Sequence, residues 1–238
     1  MNTYTVALQG RDEVADRTMA FHFDKPEGFA YKPGQAVDLT LPQQSGAEPQ
    51  VHTFSLVSAP YQNELAIATR MRDSAYKRAL RALADGAQLT LQGPSGSLTL
   101  SEKKIRPAVL LAGGIGITPF LSMLRQATHD ASPRPLALLY SNRRPEDAAF
   151  LHELQQLAQR NPHMRLIATM TQMEQSRQPW DGDTGLIDAA KVKRAAEGYD
   201  DPIYYLAGPP GLVDFLRDLL EDAGVDEDDI RSEEFFGY

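Results

Sequence analysis

Leu110-Leu111-Ala112-Gly113-Gly114-Ile115-Gly116-Ile117-Thr118-Pro119 runs an apolar strand into a glycine turn and then into an amphipathic helix over residues 120–126. A chain that reverses from strand to helix around an anion needs positive φ and no side chain between backbone and ligand, and glycine meets both conditions. Gly113, Gly114 and Gly116 therefore read as a phosphate cradle. The first turn of the following helix offers unpaired N–H donors and the positive end of its dipole. Pro119 sits where a missing donor costs least, and Thr118 adds a hydroxyl. The spacing G-G-x-G-x-T-P differs from the dinucleotide fingerprint G-x-G-x-x-G, so close packing of strand against helix reads these glycines equally well.

Working outward, the two sides of this turn have different rhythms. Before it, short period-2 runs at 4–8, 18–23, 36–41, 52–57, 65–70 and 88–92 are separated by turn residues, with one helical interruption at 74–83. Lys32-Pro33-Gly34-Gln35, Ser58-Ala59-Pro60 and Gly93-Pro94-Ser95-Gly96 supply the turn chemistry. Six such strands predict a small antiparallel Greek-key β-barrel. After Pro107, apolar strands at 108–111, 136–140, 165–170 and 203–206 alternate with helices near 119–127, 147–160 and 210–223. That order specifies βαβ units and a parallel sheet whose ligand lies at the carboxyl ends of its strands. The fold class is thus two-domain: a barrel over 1–102 and an α/β nucleotide-binding domain over 107–238. Residues 173–185, which include the single tryptophan, Trp180, read as a loop.

Composition narrows the chemistry. A chain of 238 residues with 42% hydrophobic content buries a real core and is long enough for two compact domains. Cysteine is absent, which excludes disulfides, thiol catalysis and cysteine-ligated iron–sulfur clusters, so redox chemistry must ride on an organic cofactor. The five histidines are scattered without metal-ligand spacing, and no metal site is expected. The opening residues carry neither a basic leader nor an apolar h-region, and no stretch approaches the ~18 apolar residues of a membrane span. A cytoplasmic protein without a membrane partner is the expectation.

The net charge of −8 is unevenly placed. Residues 1–104 hold 11 Lys+Arg against 11 Asp+Glu, whereas 105–238 hold 13 against 21, a surface that gives nucleic acid no electrostatic reason to bind. Between residues 70 and 81 the sign reverses, with Arg70, Arg72, Lys77, Arg78 and Arg81 against Asp73 alone. This run reads as a solvated helix face, or as a site for phosphate or an acidic protein.

Several motifs in order make the chain resemble the ferredoxin-NADP reductase superfamily, flavoproteins in which an FAD-binding barrel precedes a nicotinamide-nucleotide domain. Lys32-Pro33-Gly34-Gln35-Ala36-Val37 looks like the family's Pro-Gly-Gln turn into a barrel strand. His52-Thr53-Phe54-Ser55 stands where the family writes Arg-x-Tyr-Ser, the segment lining the flavin. The resemblance implies that Phe54 packs on the flavin and that the Ser55 hydroxyl partners flavin N5. His52 replaces an arginine that would pair the FAD pyrophosphate bidentately, which a neutral imidazole cannot do. Ala68 and Arg70 on the next strand, with Arg72 beyond it, are placed to contact the flavin and supply the missing charge. Ser74-Ala75-Tyr76 matches the family's second phosphate contact, at a helix N-terminus.

In the second half, residues 111–119 match the family's nucleotide turn. Ala207-Gly208-Pro209-Pro210 resembles its Cys-Gly-Pro-Pro segment, with alanine in place of cysteine, and for Gly208 and Pro209 a structural role is as good a reading as a contact. The terminal Glu233-Glu234-Phe235-Phe236-Gly237-Tyr238 looks like the family's Glu-x-aromatic ending, which the pairs Glu233/Phe235 and Glu234/Phe236 fit equally. An aromatic ring there stacks on the flavin and holds the place of the nicotinamide.

The resemblance implies hydride transfer from NADPH or NADH to FAD, preferred over FMN, with Ser55 and Glu233 at the reacting centre. Electrons then pass to an acidic protein carrier such as ferredoxin or flavodoxin, for which residues 70–81 offer the landing patch. Ser141, Arg143 and Arg144 follow the second strand of the nucleotide domain, where arginine meets a 2′-phosphate and a carboxylate meets a 2′-hydroxyl. The first acid is Glu146, which leans toward NADPH. His52 and Ala207 also allow a non-catalytic nucleotide-binding module on the same fold, and an electron-transfer subunit of a larger oxidoreductase is a third reading.

Overall fold

A computed structural model describes residues 2–42, 50–101 and 105–236. Residue 102, where the first domain is expected to end, and the terminal Gly237 and Tyr238 lie outside the described residues. Six antiparallel strands occupy the first half: β1 (Asn2–Ala15), β2 (Thr18–Asp24), β3 (Ala36–Thr40), β4 (Val51–Ser55), β5 (Glu64–Arg70) and β6 (Gln88–Ser95). Their order is β4-β3-β6-β1-β2-β5. A bridge between Leu56 and Ile67 joins the two ends, closing the barrel. β6 shows the logic of a half-buried strand: Leu89 and Leu91 point inward while Gln88, Thr90 and Gln92 face out.

Helix α1 (Ala75–Ala82) plugs one end of this barrel. Its N-cap Ser74 accepts a hydrogen bond from the Lys77 amide, and its buried Tyr76 and Leu80 face the apolar interior. The Tyr76 hydroxyl donates to the Leu39 carbonyl at 2.9 Å, which satisfies a polar atom inside the barrel.

The second half is a parallel sheet: β7 (Ala108–Gly113), β8 (Leu136–Asn142), β9 (Met164–Met170), β10 (Asp183–Thr184), β11 (Ile203–Gly208) and β12 (Ile230–Glu234), ordered β10-β9-β8-β7-β11-β12. Every residue of β7 is buried, the mark of a central strand covered on both faces. Ala108, Leu110 and Ala112 face α2 (Ile117–His129) and α3 (Leu151–Arg160). Val109 and Leu111 face α4 (Ala189–Ala195) and α5 (Pro210–Asp222).

Helix α2 is buried almost all round, from Ile117 through Leu124, because it lies between the sheet and the barrel. Phe120, Leu121 and Leu124 share one apolar cluster with Ala20, Val57, Ala66 and Ala68 of the barrel. Full burial of each such large side chain contributes about 1.5–3 kcal/mol. Polar latches fix the orientation that apolar contact leaves open. The Ser122 hydroxyl donates to the Ser58 carbonyl at 2.6 Å, and Arg125 donates to the Val57 carbonyl at 3.0 Å while gripping Glu153 with two bonds.

The two-sheet architecture and strand alternation match expectation, with local differences. β1 runs on to Ala15 through a bulge between Leu8 and Gly10, so its first half pairs with β6 and its second with β2. The expected turn at Gly93-Pro94 lies inside β6. Helix α3 starts at Leu151 and not near 147, because Pro145–Asp147 forms a short 3₁₀ turn and Phe150 adopts φ of 60°. Residues 173–185 contain a 3₁₀ turn, Met173–Gln175, and the short β10. Among the described residues no helix is long and apolar enough to cross a membrane.

Candidate functional site

The carboxyl ends of β7, β11 and β12 lie side by side, and here the chain's two glycine turns meet. A Cβ on Gly116 would fall 2.2 Å from the Ala207 carbonyl oxygen, and one on Gly208 would fall 3.3 Å from the Gly113 backbone. A Cβ on Gly113 would meet the Leu212 side chain at 2.2 Å. Close packing of the β7–α2 turn on the β11–α5 turn therefore requires glycine at 116, where the clash is with backbone, while Gly208 makes a tight backbone contact and at Gly113 the clash is with a side-chain tip that can move. Positive φ belongs to Gly114 alone of the first turn, at 54°. The Thr118 hydroxyl is turned back to the Ile115 carbonyl at 3.0 Å. Pro209 stands immediately before α5.

Between these strand ends and the barrel opens a cleft of about 330 Å³. Phe54, Ser55 and Ala68 form the barrel wall, while Ile115, Thr118, Phe235 and Phe236 come from the second half. The Ser55 hydroxyl lies 3.3 Å from a Glu233 carboxylate oxygen, a contact between residues 178 apart in sequence. Of the two adjacent glutamates it is Glu233 that reaches the serine; Glu234 is exposed. The Phe235 amide donates to the Gly208 carbonyl at 2.9 Å, which carries the last aromatics back to the cleft. Burial pushes the Glu233 carboxyl above the usual carboxylate range, and the Ser55 hydrogen bond opposes that shift.

The other end of the cleft is cationic. His52, Arg70, Arg72, Ser74 and Lys77 line it, with Asp73, whose carboxylate pairs with Arg78. The His52 ring lies 4.1 Å from the Tyr76 ring centre. Ala75 and Tyr76 do not line the cleft, and the Tyr76 side chain points into the barrel. Lys77 and Thr69 also line it; the sequence placed Lys77 only within the basic run over 70–81 and gave no sign of Thr69. Lys77 carried a usable signal: three residues past a capping serine, it lies in the first turn of a helix that opens on the cleft.

A second groove, about 790 Å³, adjoins the first through Arg70, Arg72 and Asp73. It takes in Arg81 of the basic run, adds Arg17 and Arg143 from outside that run, and includes Glu13. Arg17, Arg72 and Arg81 have no carboxylate partner among the described residues. Arg143 and Arg144 behave differently from each other. Arg144 is held by Asp147 at 2.8 Å and lies 3.7 Å from Glu146, whereas Arg143 touches Asp147 at 3.2 Å and keeps its side chain half exposed. Arg70 reaches the same Asp147 carboxylate at 3.6 Å. Three guanidinium groups hold that buried carboxyl below its usual range against its own desolvation. Ser141 stands beside Gly113 at the end of β8.

Chemically, the cleft joins a slot for a flat ring to a hydroxyl–carboxylate pair at one end and a cluster of cations at the other. A ring system carrying phosphates fits that polarity. Among the described residues no group of three His, Cys, Asp or Glu could hold a metal ion.

Comparison with known proteins bears on the fold and its relatives. Residues 110–218 match the oxidoreductase NAD-binding domain family. The chain is 28% identical over 221 residues to a glycine betaine monooxygenase reductase subunit of Chromohalobacter salexigens, covering 92% of this chain and 60% of the relative. It is also 28% identical to ferredoxin–NADP reductase B of Sorangium cellulosum, covering 92% of this chain and 91% of that protein. A solved ferredoxin NADP+ reductase from Neisseria gonorrhoeae with bound FAD and NADP superposes with a TM-score of 0.82 at 20% identity, over 98% of this chain and 99% of that one, which shows the shared fold. The chain spans about three fifths of the length of the first curated relatives it matches.

Proposed function

We propose that this chain, which belongs to the ferredoxin-NADP reductase superfamily of FAD/NAD(P)-binding oxidoreductases, carries reducing equivalents in the cytoplasm from NAD(P)H through FAD to a separate electron carrier. The observation that carries the reading is the Ser55–Glu233 contact at 3.3 Å, flanked by Phe54 and Phe235, at the seam of the two sheets. When bound, the flavin supplies the acceptor for the nicotinamide hydride and passes the electrons on. The chain's own work is geometric and electrostatic.

In this reading residues 1–102 are the flavin domain and 107–238 the nucleotide domain. Phe54, Thr53 and Ala68 wall the ring system, and Ser55 offers a hydroxyl where charge changes. Phe235 and Phe236 keep water from the ring face until the nicotinamide takes their place. Arg70, with Arg72, faces the phosphates, helped by the N-terminal turn at Ser74, Ala75 and Tyr76. The nicotinamide nucleotide lies along the strand ends, against Gly113, Gly114, Gly116, Thr118, Gly208 and Pro209, toward Ser141 and Arg143. Ion pairing leaves Arg144 to position Asp147, so Arg143 is the better candidate for a 2′-phosphate. Glu146 and Asp147 are both buried, so neither is available to a ribose 2′-hydroxyl, which supports the lean toward NADPH.

The groove of Arg17, Arg72, Arg81 and Arg143 supports an acidic carrier as partner, since Arg17 and Arg81 stand outside the cleft and pair with no carboxylate among the described residues. Reductase subunits among the relatives make an oxygenase or its ferredoxin a fitting recipient. His52 and Ala207 support a second reading, a nucleotide-binding module without flavin. Anaerobic titration of the purified chain with NADPH and with NADH, followed by flavin absorbance, separates the two. Yellow protein bleached by reduced nicotinamide is the expected result; colourless protein that still binds nucleotide would sink the redox reading.

A further inference from the structure

At the cationic end of the cleft, Lys77 and His52 stand with Arg70 and Arg72. Lys77 reaches it from the first turn of α1: its amide donates to the Ser74 hydroxyl at 3.2 Å and its ammonium to the Arg70 carbonyl at 2.6 Å. No carboxylate pairs with it among the described residues. His52 lines the same cleft from β4, its ring against Tyr76. Burial, then the charges of Arg72 and Arg70, hold the Lys77 ammonium below its usual range. His52 is likewise held low, by desolvation and then by Lys77.

The groups around His52 come from four segments. Lys77 and Tyr76 belong to α1, Arg70 to β5, and Arg72 with Asp73 to the link between them. On its own strand Thr53 is bonded to Asp38 of β3 at 2.5 Å, which engages that carboxylate beside the site. Asp73 is engaged by Arg78. The balance facing the imidazole is positive.

We propose that His52 and Lys77 together grip the phosphates of the bound flavin nucleotide, and that His52 takes up a proton from solvent as they do so. This rests on the reading of the cleft as a flavin site. Two phosphate charges placed between an imidazole and an ammonium reverse the sign of the local field, so the protonated imidazole becomes the favoured form. No covalent bond changes; the proton stays on His52 while the anion is bound. A guanidinium at position 52 would hold the same phosphates at any physiological pH, because it never gives up its proton. Histidine there makes flavin affinity depend on pH.

The test is calorimetric titration of FAD into the flavin-free full chain, in buffers of different ionisation enthalpy, with flavin fluorescence for affinity. Uptake of part of a proton near pH 7 is expected, with affinity rising about three- to tenfold from about pH 8 to about pH 6. The FAD diphosphate does not titrate in that window, and riboflavin, which lacks phosphate, should show neither effect. His52→Arg should keep the affinity and lose its pH dependence, His52→Gln should lose both, and Lys77→Met should weaken FAD about tenfold without touching riboflavin. The exposed position of His52 lets its variants fold. Tight FAD binding with no proton uptake overturns the proposal and leaves the flavin reading standing. Uptake seen with NADP+ and not with FAD overturns it in favour of the other nucleotide, and failure to bind FAD at any pH overturns both.

Discussion

Replacing Gly116 by alanine places the sharpest demand on this architecture. Its φ of −58° is open to any residue, so the backbone itself resists nothing. The added methyl, however, would lie 2.2 Å from the Ala207 carbonyl oxygen, 2.4 Å from its carbon and 2.7 Å from the Gly208 nitrogen. Ordinary contact needs about 3.5–4.0 Å, so the end of β11 must move away from the start of α2 by more than about 1 Å. Backbone of a central parallel strand cannot swing aside as a side-chain tip does. The cost belongs at the top of the overpacking range, about 3 kcal/mol, which lowers Tm by roughly 6–12 °C in a protein of this size. Gly211→Ala is the control: nothing lies within 4 Å of its added methyl, and loss of glycine from a helix gains up to about 1 kcal/mol. Gly114→Ala, at φ of 54°, should fall between them at about 1–2 kcal/mol. Thermal unfolding followed by far-ultraviolet circular dichroism reads all three. A Gly116→Ala protein melting within about 1 °C of the parent would refute the packing of the two turns.

Three further outcomes follow from the structure. Ser55→Ala should slow flavin reduction by more than about tenfold, the loss expected for a hydrogen bond to a charged centre, while leaving flavin bound; an unchanged stopped-flow rate removes Ser55 from the mechanism. Because the Ser55 hydrogen bond favours the ionised Glu233, the same variant should shift the acid inflection of the rate profile to higher pH, and Glu233→Gln should abolish it. Glu146 is held at about 2, first by the Arg177 amide and then by its other hydrogen bonds, Ser176 among them, and by the charge of Arg144. A carboxyl with a depressed folded-state value stabilises the protein above its unfolded value and loses that contribution as pH falls from about 4.5 toward 2. Tm should therefore fall more steeply between about pH 4.5 and pH 3 in the parent than in Glu146→Gln, and parallel curves would count against the assignment.

What the sequence disclosed depended on whether the cause was local. Alternation in β6 and the continuous apolar run of β7 are local, and both elements read correctly apart from their ends. β12 escaped because Arg231-Ser232-Glu233-Glu234 has no apolar rhythm; it is a strand because β11 offers it an edge, pairing Ala207 with Glu233. Helix α4 escaped because seven residues rich in alanine and lysine carry little amphipathic signal beyond the capping Asp188. The second half of β1 was hidden by Gly10, Asp12 and Glu13, which suit its exposed run. At the site, Ser55 and Glu233 were legible only through resemblance, since no spacing rule links residues 178 apart. Arg144 looked free in sequence because its ion pair with Asp147 depends on the 3₁₀ turn at Pro145–Asp147.

That ion pair bears on how the cleft holds its width. Asp147 lies in the second half of the chain, yet Arg70 of the barrel reaches it, and the Asp16 amide donates to the Glu146 carbonyl at 2.8 Å. On the other flank, Ser122 and Arg125 of α2 hold the carbonyls of Ser58 and Val57, in the segment that leaves Ser55. The barrel wall is thus pinned to the parallel sheet at both sides of the cleft by buried or half-buried polar contacts. Apolar packing alone would let α2 slide, because a greasy surface has no preferred register; hydrogen bonds to particular carbonyls do not permit it. The separation of Ser55 from Glu233 is fixed before any ligand arrives. A ring system entering beside this pair, against Phe54 and Phe235, meets walls already in place, and the ordering cost that would otherwise weaken its binding is met during folding.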